Sequence, residues 1–387
     1  MSNKLKKVLI GISLVLLFFL AVVSSYFYGL YKNVVVIDAV DVYEEVIPAT
    51  PTPTPDPFSP KNILLLGYGG PGHDGGYLTD TIILAKVYPR DKKIVLISIP
   101  RDLWVEIPVS EEDSAYMKIN NAYSIGRDKR YPEIPTQYKG EAGGGKLAKE
   151  VVGEVLGVNI DHFVSIDFGG FKHTIDTLGG ITVFVPYTFD DQYYPIKGKE
   201  DDTCEKSEEE LEALTATMSG DLLEKEFKCR YEDLHFDKGV QVLDSENALK
   251  FVRSRHSSIG GSDFGRSLRQ QAFLEAIKDE LLSVRSVKKI IPLLSETSRN
   301  VKTDINLTEA YKLLLLNGDI GEVEVYSISL NDDNMLMHAV SSDGQYTLIP
   351  VDGQGNYERI ESYVSAQIEK FFIKDEGVLE TTSTPNP

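Results

Sequence analysis

The sequence predicts an α/β fold in which helices flank a mixed central β-sheet, placed after a single N-terminal transmembrane helix. Three observations support this prediction. Apolar runs of strand length recur along the chain, stretches of helical periodicity alternate with them, and one uncharged stretch near the N-terminus is long enough to cross a bilayer. With 387 residues, 42% of them hydrophobic and 26% charged, the chain suits one large globular domain or two medium ones.

The predicted transmembrane helix covers residues 8–30, "VLIGISLVLLFFLAVVSSYFYGL", which contain no charged residue. Its length suits a hydrocarbon core of about 30 Å. Three lysines precede it: Lys4, Lys6 and Lys7. By the positive-inside rule, residues 1–7 form a cytoplasmic stub, and the rest of this cell-membrane protein is extracytoplasmic. A cleaved signal peptide is the alternative because Ser24 and Ser25 are small, but the apolar run exceeds the roughly 7–15 residues typical of such a peptide.

Composition marks the other boundaries. Residues 31–60 form a linker that ends in "ATPTPTPDPFSP", whose alternating prolines favour an extended, semi-rigid spacer. Residues 61–282 form the main domain, and residues 283–372 are a C-terminal α/β extension of it or a small accessory domain. Residues 373–387 are polar and contain prolines, so we expect a disordered tail.

The main domain opens with three apolar runs: "NILLLG" at 62–67, "TIILAKVY" at 81–88 and "KIVLISIP" at 93–100. The tight turn "PRDK" joins the second and third runs, so they predict an antiparallel meander. Further strands are expected at "HFVSID" and "ITVFVP". The expected helices are Gly145–Leu156, Asp167–Leu178, Ser245–Val252 and Asp263–Leu282.

A glycine-rich loop, "GYGGPGHDGGYLTDT", joins the first two strands. Gly67, Gly69 and Gly72 have the spacing of a dinucleotide-binding fingerprint. That fingerprint requires a helix after the third glycine, whereas here two more glycines and then a β-branched run follow. Dinucleotides are also scarce outside a cell, so we expect no nicotinamide cofactor.

In a meander, this loop and the end of the third strand lie at the same edge of the sheet. Asp80 begins the second strand there, and Arg101 follows the third, whose end is marked by Pro100. We therefore expect Asp80 and Arg101 to lie close together. Asp102 is interpreted as an ordinary solvated loop residue.

Many acidic residues of this chain, whose formal net charge is −19, fall in an insertion at about residues 190–237. We interpret this insertion as solvated, with one amphipathic helix. It contains both cysteines, Cys204 and Cys229. Outside the cytoplasm these two cysteines could close the insertion as a disulfide, whereas two thiols without histidine partners make a poor zinc site.

The densest chemistry lies in residues 251–271, "FVRSRHSSIGGSDFGRSLRQQ". One acid, Asp263, accompanies four arginines there: Arg253, Arg255, Arg266 and Arg269. Asp263 would cap a helix on which it shares one face with Arg266 and Gln270. Salt bridges to the acidic insertion would be a structural explanation for the arginines. The net charge of −19 argues against a nucleic-acid partner.

Arginine, rather than lysine, indicates a phosphorylated or pyrophosphorylated ligand. The planar guanidinium group makes paired, charge-assisted hydrogen bonds to phosphate oxygens. Asp80 nearby could hold Mg²⁺, which uses few carboxylates and takes phosphate oxygens for the rest of its shell.

Several stretches, taken in order within residues 62–282, resemble the LytR-CpsA-Psr family of membrane-anchored bacterial cell-wall proteins. They include "LTDTIIL", "ISIPRDLWVEIP", "KINNAYSIG", "LDSENALKFVRSRHS" and "DFGRSLRQQ". Members carry one N-terminal membrane helix and an extracytoplasmic α/β domain, which agrees with the interpretation above. The resemblance makes residues 61–282 the catalytic domain.

The resemblance implies a phosphotransferase that moves a glycopolymer, with its phosphate, from a polyprenyl-pyrophosphate carrier onto peptidoglycan. The residues it marks as catalytic are Asp80, Arg101, Arg253, Arg255 and Asp263. Those it marks as pyrophosphate-binding are Arg101, Arg253, Arg255, Arg266 and Gln270. Asp80 would bind Mg²⁺, and Asp263 would act as a base or orient the arginines. The family often has a second metal-binding aspartate in a G-x-D pattern, but this chain has "GYGG" there, and the nearest acid is Asp74.

Two other functions would use the same residues. A hydrolase would release the glycan phosphate to water, and a non-catalytic membrane protein would hold a lipid phosphate or the wall without reaction. A polyprenyl tail would in either case require an apolar groove, which we expect between the sheet and the helices.

Overall fold

The computed structural model of the protein describes residues 25, 28–29, 31–36, 56, 58–73, 75–127, 131–140, 142–218, 221–255, 257, 263–283, 300–306, 309 and 323–376. Its strands are β1 (Lys61–Tyr68), β2 (Thr79–Tyr88), β3 (Lys93–Ser98), β4 (Trp104–Pro108), β5 (Ser114–Lys118), β6 (His162–Asp167), β7 (Ile181–Val185), β8 (Phe189–Pro195), β9 (Tyr231–Phe236), β10 (Gly239–Leu243), β11 (Val301–Thr303), β12 (Glu324–Ser329), β13 (Leu336–Val340) and β14 (Tyr346–Pro350). Its helices are α1 (Asn121–Arg127), α2 (Gly143–Leu156), α3 (Phe168–Leu178), α4 (Glu208–Thr217), α5 (Asp221–Lys225), α6 (Ser245–Arg253), α7 (Asp263–Ser283) and α8 (Glu358–Glu376).

The central sheet has six strands in the order β11-β6-β1-β2-β3-β12. Strand β1 is parallel to β6, and β3 is parallel to β12, whereas the other neighbours are antiparallel. The predicted meander β1–β2–β3 and the mixed sheet are therefore confirmed. The four helices expected from periodicity are present as α2, α3, α6 and α7.

Alternating side chains of the sheet enter two separate cores. Leu64, Leu66 and Tyr68 of β1 lie in the larger core with residues of α1, α2 and α8. Leu65 points the other way and packs with Ile83, next to Leu274 of α7, because successive strand side chains face opposite sides. Helices thus cover both faces of the sheet, as the predicted α/β class requires.

The C-terminal residues complete the same sheet. Strand β12 pairs with β3 along its whole length, and β11 pairs with β6. Ile360 and Val364 of α8 are buried in the larger core beside α2. The described part of residues 283–372 thus contributes two strands to the central sheet and buried helix residues to the larger core.

The acidic insertion divides into a buried ribbon and an exposed arm. Strands β8 and β9 pair antiparallel, and Phe189, Asp191 and Phe236 on them are buried. Between the strands, α4 begins at a capping box on Ser207 and has no buried residue. The expectation of a solvated insertion is thus correct for the arm and wrong for the two flanking strands, which pack into the domain.

A disulfide joins Cys204 to Cys229, whose Cα atoms are 5.6 Å apart. It closes the arm close to the start of β9. The predicted pairing of the two cysteines is confirmed.

None of the helices that the structure describes is both long and apolar enough to cross a membrane. The predicted span, residues 8–30, lies mostly outside the described residues. So do most of the linker, 31–60, and most of the tail, 373–387.

Candidate functional site

The meander brings Asp80 of β2 and Arg101, just beyond β3, into contact, as predicted. Arg101 Nη1 donates to Asp80 Oδ1 over 2.5 Å. Arg255 lies 175 residues after Asp80 in the chain, and its Nη2 donates to the same Asp80 oxygen over 3.2 Å. Two guanidinium groups therefore share one carboxylate oxygen at this edge of the sheet.

The charge of Asp80 follows from these contacts. Burial by itself would raise the pKa of Asp80, but the positive charges of Arg255 and Arg101 outweigh burial. The pKa of Asp80 therefore lies below its ordinary value of 3.8, and the carboxylate is ionised at neutral pH.

Arg253 is placed by the end of α6. Asp244 caps the start of that helix by accepting from the backbone N–H of Asn247, and Arg253 is the last helical residue. The guanidinium of Arg253 lies 4.3 Å from the ring centroid of Phe168 and donates to the Tyr194 hydroxyl over 3.2 Å. These contacts fix a third guanidinium group beside Asp80.

The chain just after α6 is held by Asp191, which is fully buried. Its Oδ2 accepts from the Ser254 hydroxyl over 2.7 Å and from the backbone N–H of Arg255 over 3.0 Å. Asp191 therefore sets the backbone from which Arg255 reaches Asp80. The sequence offered no signal for this role, since Asp191 lies in the insertion that was interpreted as solvated.

Arg269 acts on the same segment from α7. This side chain is fully buried, donates to the Phe251 and Ser254 carbonyls and to the Tyr187 hydroxyl, and lies 4.7 Å from the Phe189 ring centroid. The Arg269 guanidinium therefore makes its hydrogen bonds within the protein. The sequence placed it in the arginine cluster, but its contacts identify it as a positioning residue.

Arg266 and Gln270 on α7 both line the same cavity as Asp80, as their shared helix face predicts. Gln270 Nε2 donates to Thr81 Oγ1 over 3.0 Å, which fastens α7 to β2. Asp263 begins α7, but its side chain lies outside what the structure describes, so its capping and catalytic roles stay predictions. Asp74, the tentative second metal ligand, also lies outside the described residues.

Asp102 departs from its expected solvated state. Its side chain is only 14% exposed and forms ion pairs with Lys118 at 2.7 Å and with Arg101 Nε at 3.5 Å. It therefore helps to orient Arg101. The sequence could not show this because Lys118 comes from β5, on a separate hairpin.

One cavity of about 670 Å³ lies between the sheet and helices α3, α6 and α7. Its polar lining includes six of the predicted site residues: Asp80, Arg101, Arg253, Arg255, Arg266 and Gln270. Apolar side chains from the sheet and these helices line the rest of it: Leu65, Ile83, Val164, Ile166, Phe171, Ile175, Phe273, Leu274 and Ile277. The lining combines a cluster of arginines with an extensive apolar surface, and the cavity lies between the sheet and the helices, where the apolar groove is expected.

Asp80 is the carboxylate at this cavity that could hold the Mg²⁺ implied by the family resemblance. Both hydrogen bonds to Asp80 fall on Oδ1, so Oδ2 accepts none from the described residues. The other two aspartates at the cavity, Asp167 and Asp191, are occupied by backbone N–H, amide or hydroxyl donors. Asp80 therefore fits a cation that takes one carboxylate and completes its shell with phosphate oxygens.

Within the described ranges, the only three metal-binding side chains with converging ligand atoms are Asp202, Cys204 and Cys229. Two of these are joined in the disulfide. Bonded to each other, these two sulfurs are not available as thiolate ligands.

The glycine loop makes a sharp turn against Asp167, a residue that lines the cavity. Gly70 has a φ of +87°, and a Cβ there would lie 3.0 Å from Asp167 Cβ. Only glycine meets both demands without strain. The loop is followed by β2 and not by a helix, which agrees with rejecting the dinucleotide fingerprint.

Comparisons with known proteins agree with this architecture. The family model of the LytR_cpsA_psr family matches residues 33–351. The chain is 28% identical, over 72% of its length, to the Bacillus subtilis polyisoprenyl-teichoic acid–peptidoglycan teichoic acid transferase TagV. It is 30% identical, over 67% of its length, to the Enterococcus faecalis transferase named TagU. The chain spans 58% and 65% of the length of these two relatives.

A solved structure supports the same relationship. The crystal structure of B. subtilis TagV superposes with a TM-score of 0.51 at 26% identity, covering 81% of this chain and 98% of that one. Because the family model covers well over half of the sequence, the motifs, the fold and the comparisons lead to one conclusion. The chain belongs to the LytR_cpsA_psr family.

Proposed function

We propose that this protein is a phosphotransferase that moves a glycopolymer, together with its phosphate, from a polyprenyl-pyrophosphate carrier onto peptidoglycan. One observation carries the proposal: the lining of a single cavity has two parts, arginines around Asp80 and a large set of apolar side chains. A carrier with a pyrophosphate head and a hydrocarbon tail matches both halves. The names of the relatives support the acceptor, since those proteins are called teichoic acid transferases to peptidoglycan.

In the reaction, a hydroxyl oxygen of the acceptor forms a bond to the phosphorus that bears the glycan. The bond from this phosphorus to the bridging oxygen breaks, and polyprenyl phosphate leaves with the electron pair. The hydroxyl proton passes to a base, a role for which Asp263 is the candidate. Negative charge spreads over the phosphate oxygens in the transition state, so fixed donors lower the barrier by electrostatic stabilisation.

The arginines would divide this work by position. Arg101 and Arg255 already converge on one oxygen atom, so a phosphate beside Asp80 would lie within reach of both. Arg253 and Arg266 would bind the second phosphate, and Gln270 would orient the head group from α7. Mg²⁺, when bound through Asp80, would neutralise part of the pyrophosphate charge.

We also propose that the catalytic domain lies outside the cell membrane. Residues 8–30 have the length and polarity of a single membrane span with a cytoplasmic N-terminus. The proline-rich linker would hold the site between membrane and wall. The Cys204–Cys229 disulfide supports this location, because such bonds persist in oxidising compartments.

The test uses the full chain in detergent with a synthetic polyprenyl-pyrophosphate oligosaccharide, Mg²⁺ and nascent peptidoglycan, and follows the products by mass spectrometry. A glycan–phosphate adduct on the peptidoglycan, absent with the Arg255→Ala variant and with a chelator, is the expected result. Free glycan phosphate without an adduct would identify a hydrolase instead. Bound but unreacted lipid would indicate a binding protein.

A further inference from the structure

A second cavity, of about 490 Å³, lies along the glycine loop and α1. Loop residues from Gly70 to Leu78 form one wall, and Asn121 and Ser124 of α1 form another. The strand ends on either side of this loop carry Gly67 and Asp80, which line the first cavity. The ring centroid of His73, which lines the second cavity, is 5.2 Å from that of Phe168, which lines the first, so the two cavities lie close together at this loop.

The second cavity is lined by polar residues whose side chains make few hydrogen bonds to the described part of the chain. The hydroxyls of Ser124, Tyr77 and Tyr131 line it, and none of the hydrogen bonds among the described residues involves them. Asn121 donates from Nδ2 to the Lys118 carbonyl and to Asn120 Oδ1, each over 3.1 Å, whereas its own Oδ1 accepts nothing from the described residues. These atoms are not among the buried unsatisfied groups of the described residues, so they are reachable by solvent and accessible to a polar ligand.

The chemistry of the lining differs from that of the first cavity. No Asp, Glu, Lys or Arg is among its described lining residues. Tyr77 and Tyr131 offer aromatic surface, and Tyr77 is itself supported by Tyr68, with ring centroids 5.9 Å apart. Hydroxyl and amide groups beside aromatic faces bind neutral, hydroxyl-rich ligands through hydrogen bonds and apolar contact. Neither a pyrophosphate nor a hydrocarbon tail matches this lining.

We propose that this second cavity is the acceptor subsite, which binds the N-acetylated sugars of a peptidoglycan strand. The inference rests on the proposed function, because a transfer between two large substrates needs a second site that meets the first at the reacting phosphate. Asn121 Oδ1 accepts an N–H of the ligand, such as that of an N-acetyl group, and the tyrosine rings pack against sugar faces. A hydroxyl of the bound strand then faces the phosphate at the glycine loop.

Binding of soluble sugars to the full chain tests this inference without any turnover. The probes are chitotetraose, which carries N-acetyl groups, and cellotetraose, which has the same linkage without them. Isothermal titration calorimetry is expected to show binding of chitotetraose and at least about tenfold weaker binding of cellotetraose. Asn121→Ala and Tyr131→Ala should each weaken chitotetraose binding by about tenfold or more.

Two matched variants separate this subsite from the arginine site. Tyr116→Ala removes an exposed tyrosine outside the cavity, and Arg255→Ala alters only the phosphate side, so both should bind chitotetraose normally. Tyr131→Ala should still bind the polyprenyl-pyrophosphate lipid, and thermal melting checks that each variant is folded. If the proposed function is wrong and the sugar subsite is correct, the parent protein would bind chitotetraose but not the polyprenyl-pyrophosphate lipid.

The inference is overturned if the folded Asn121→Ala and Tyr131→Ala variants bind chitotetraose like the parent protein. It is also overturned if the parent protein binds no chitotetraose, or binds both sugars equally.

Discussion

Arg101 and Arg255 owe their common position to partners that are themselves fixed. Asp102 pairs with Arg101 and Lys118, and Asp191 holds the backbone of Arg255. The guanidinium groups are thus oriented before any ligand binds. Electrostatic stabilisation of a transition state depends on such preorganisation, because donors that must first reorient lose part of their effect.

Arg101→Lys should lower transfer activity by roughly 100-fold, although the positive charge is kept. Lysine lacks the planar fork with which Arg101 reaches Asp80 and Asp102 together. Initial rates with the lipid-linked glycan would measure this. Arg90→Lys, at an exposed arginine paired with Asp56, is the control and should keep full activity. Equal rates for the two variants would contradict the assigned role.

Asp191→Asn should destabilise the protein by about 1–3 kcal/mol and reduce activity. The amide retains only one acceptor oxygen for the three donors that Asp191 now satisfies, on Tyr193, Ser254 and Arg255. Urea unfolding and initial rates would measure the two effects. Asp190→Asn, at the exposed neighbouring position, is the matched control and should change neither by a comparable amount. An Asp191→Asn variant with the stability and rate of the parent protein would refute the positioning role.

At the scale of elements, the site is assembled where α6 and α7 meet the N-terminal end of β2. Gln270 of α7 bonds to Thr81 of β2, and buried Arg269 bonds to the carbonyls at the end of α6. The ribbon β8–β9 supplies Asp191 to the same place and continues into the disulfide-closed arm. Glu224 in the arm lines the first cavity, so the arm forms part of its wall.

Reduction of the disulfide should loosen the arm before the rest of the domain. The Cys204–Cys229 bridge closes a loop with a sequence separation of 25, for which loop-closure entropy gives about 3–4 kcal/mol. We expect limited proteolysis to cut residues 205–228 faster in reductant and in the Cys204→Ser/Cys229→Ser variant. Reductant should not change the cleavage rate of that variant further. Unchanged cleavage of the reduced parent protein would show that the arm is held by its other contacts.

At the scale of the whole molecule, Asp304 joins three parts of the fold that are distant in sequence. Asp304 follows directly after β11. It accepts a hydrogen bond from Lys149 Nζ of α2 over 2.6 Å and another from the backbone N–H of Phe163 in β6 over 2.8 Å. Burial alone would raise the pKa of Asp304. The hydrogen bond from His162 and the charge of Lys149 outweigh burial and hold the pKa below its ordinary value of 3.8.

Stability should therefore fall in acid partly through Asp304. Because its pKa is lower in the folded protein than in the unfolded chain, its contribution is complete above 3.8 and is lost as the pH falls through the folded pKa. The free energy of unfolding, measured at neutral pH and below 3.8, should drop less in Asp304→Asn than in the parent protein. Asp91→Asn, in an exposed turn, should show the drop of the parent protein. An identical acid loss in Asp304→Asn would contradict this assignment.

Much of the fold was predictable because its signals are local. Strand and helix periodicity depends on neighbours along the chain, so the meander, the four main helices and the mixed sheet follow from apolar spacing and turn residues. The contact between Asp80 and Arg101 was also predictable, since a meander brings alternate strand ends to one edge. Arg266 and Gln270 reach one cavity because a helix places residues four apart on one face.

The sequence alone thus determined the fold class, the strand order of the meander and a cluster of arginines, whereas the structure decided that the two cysteines pair. Only the tertiary structure decided which charges are buried. Asp102, Asp191 and Arg269 became positioning residues because segments far apart in sequence pack around them and remove them from water. Burial and cavity shape depend on the meeting of distant surfaces, and no local pattern encodes that meeting.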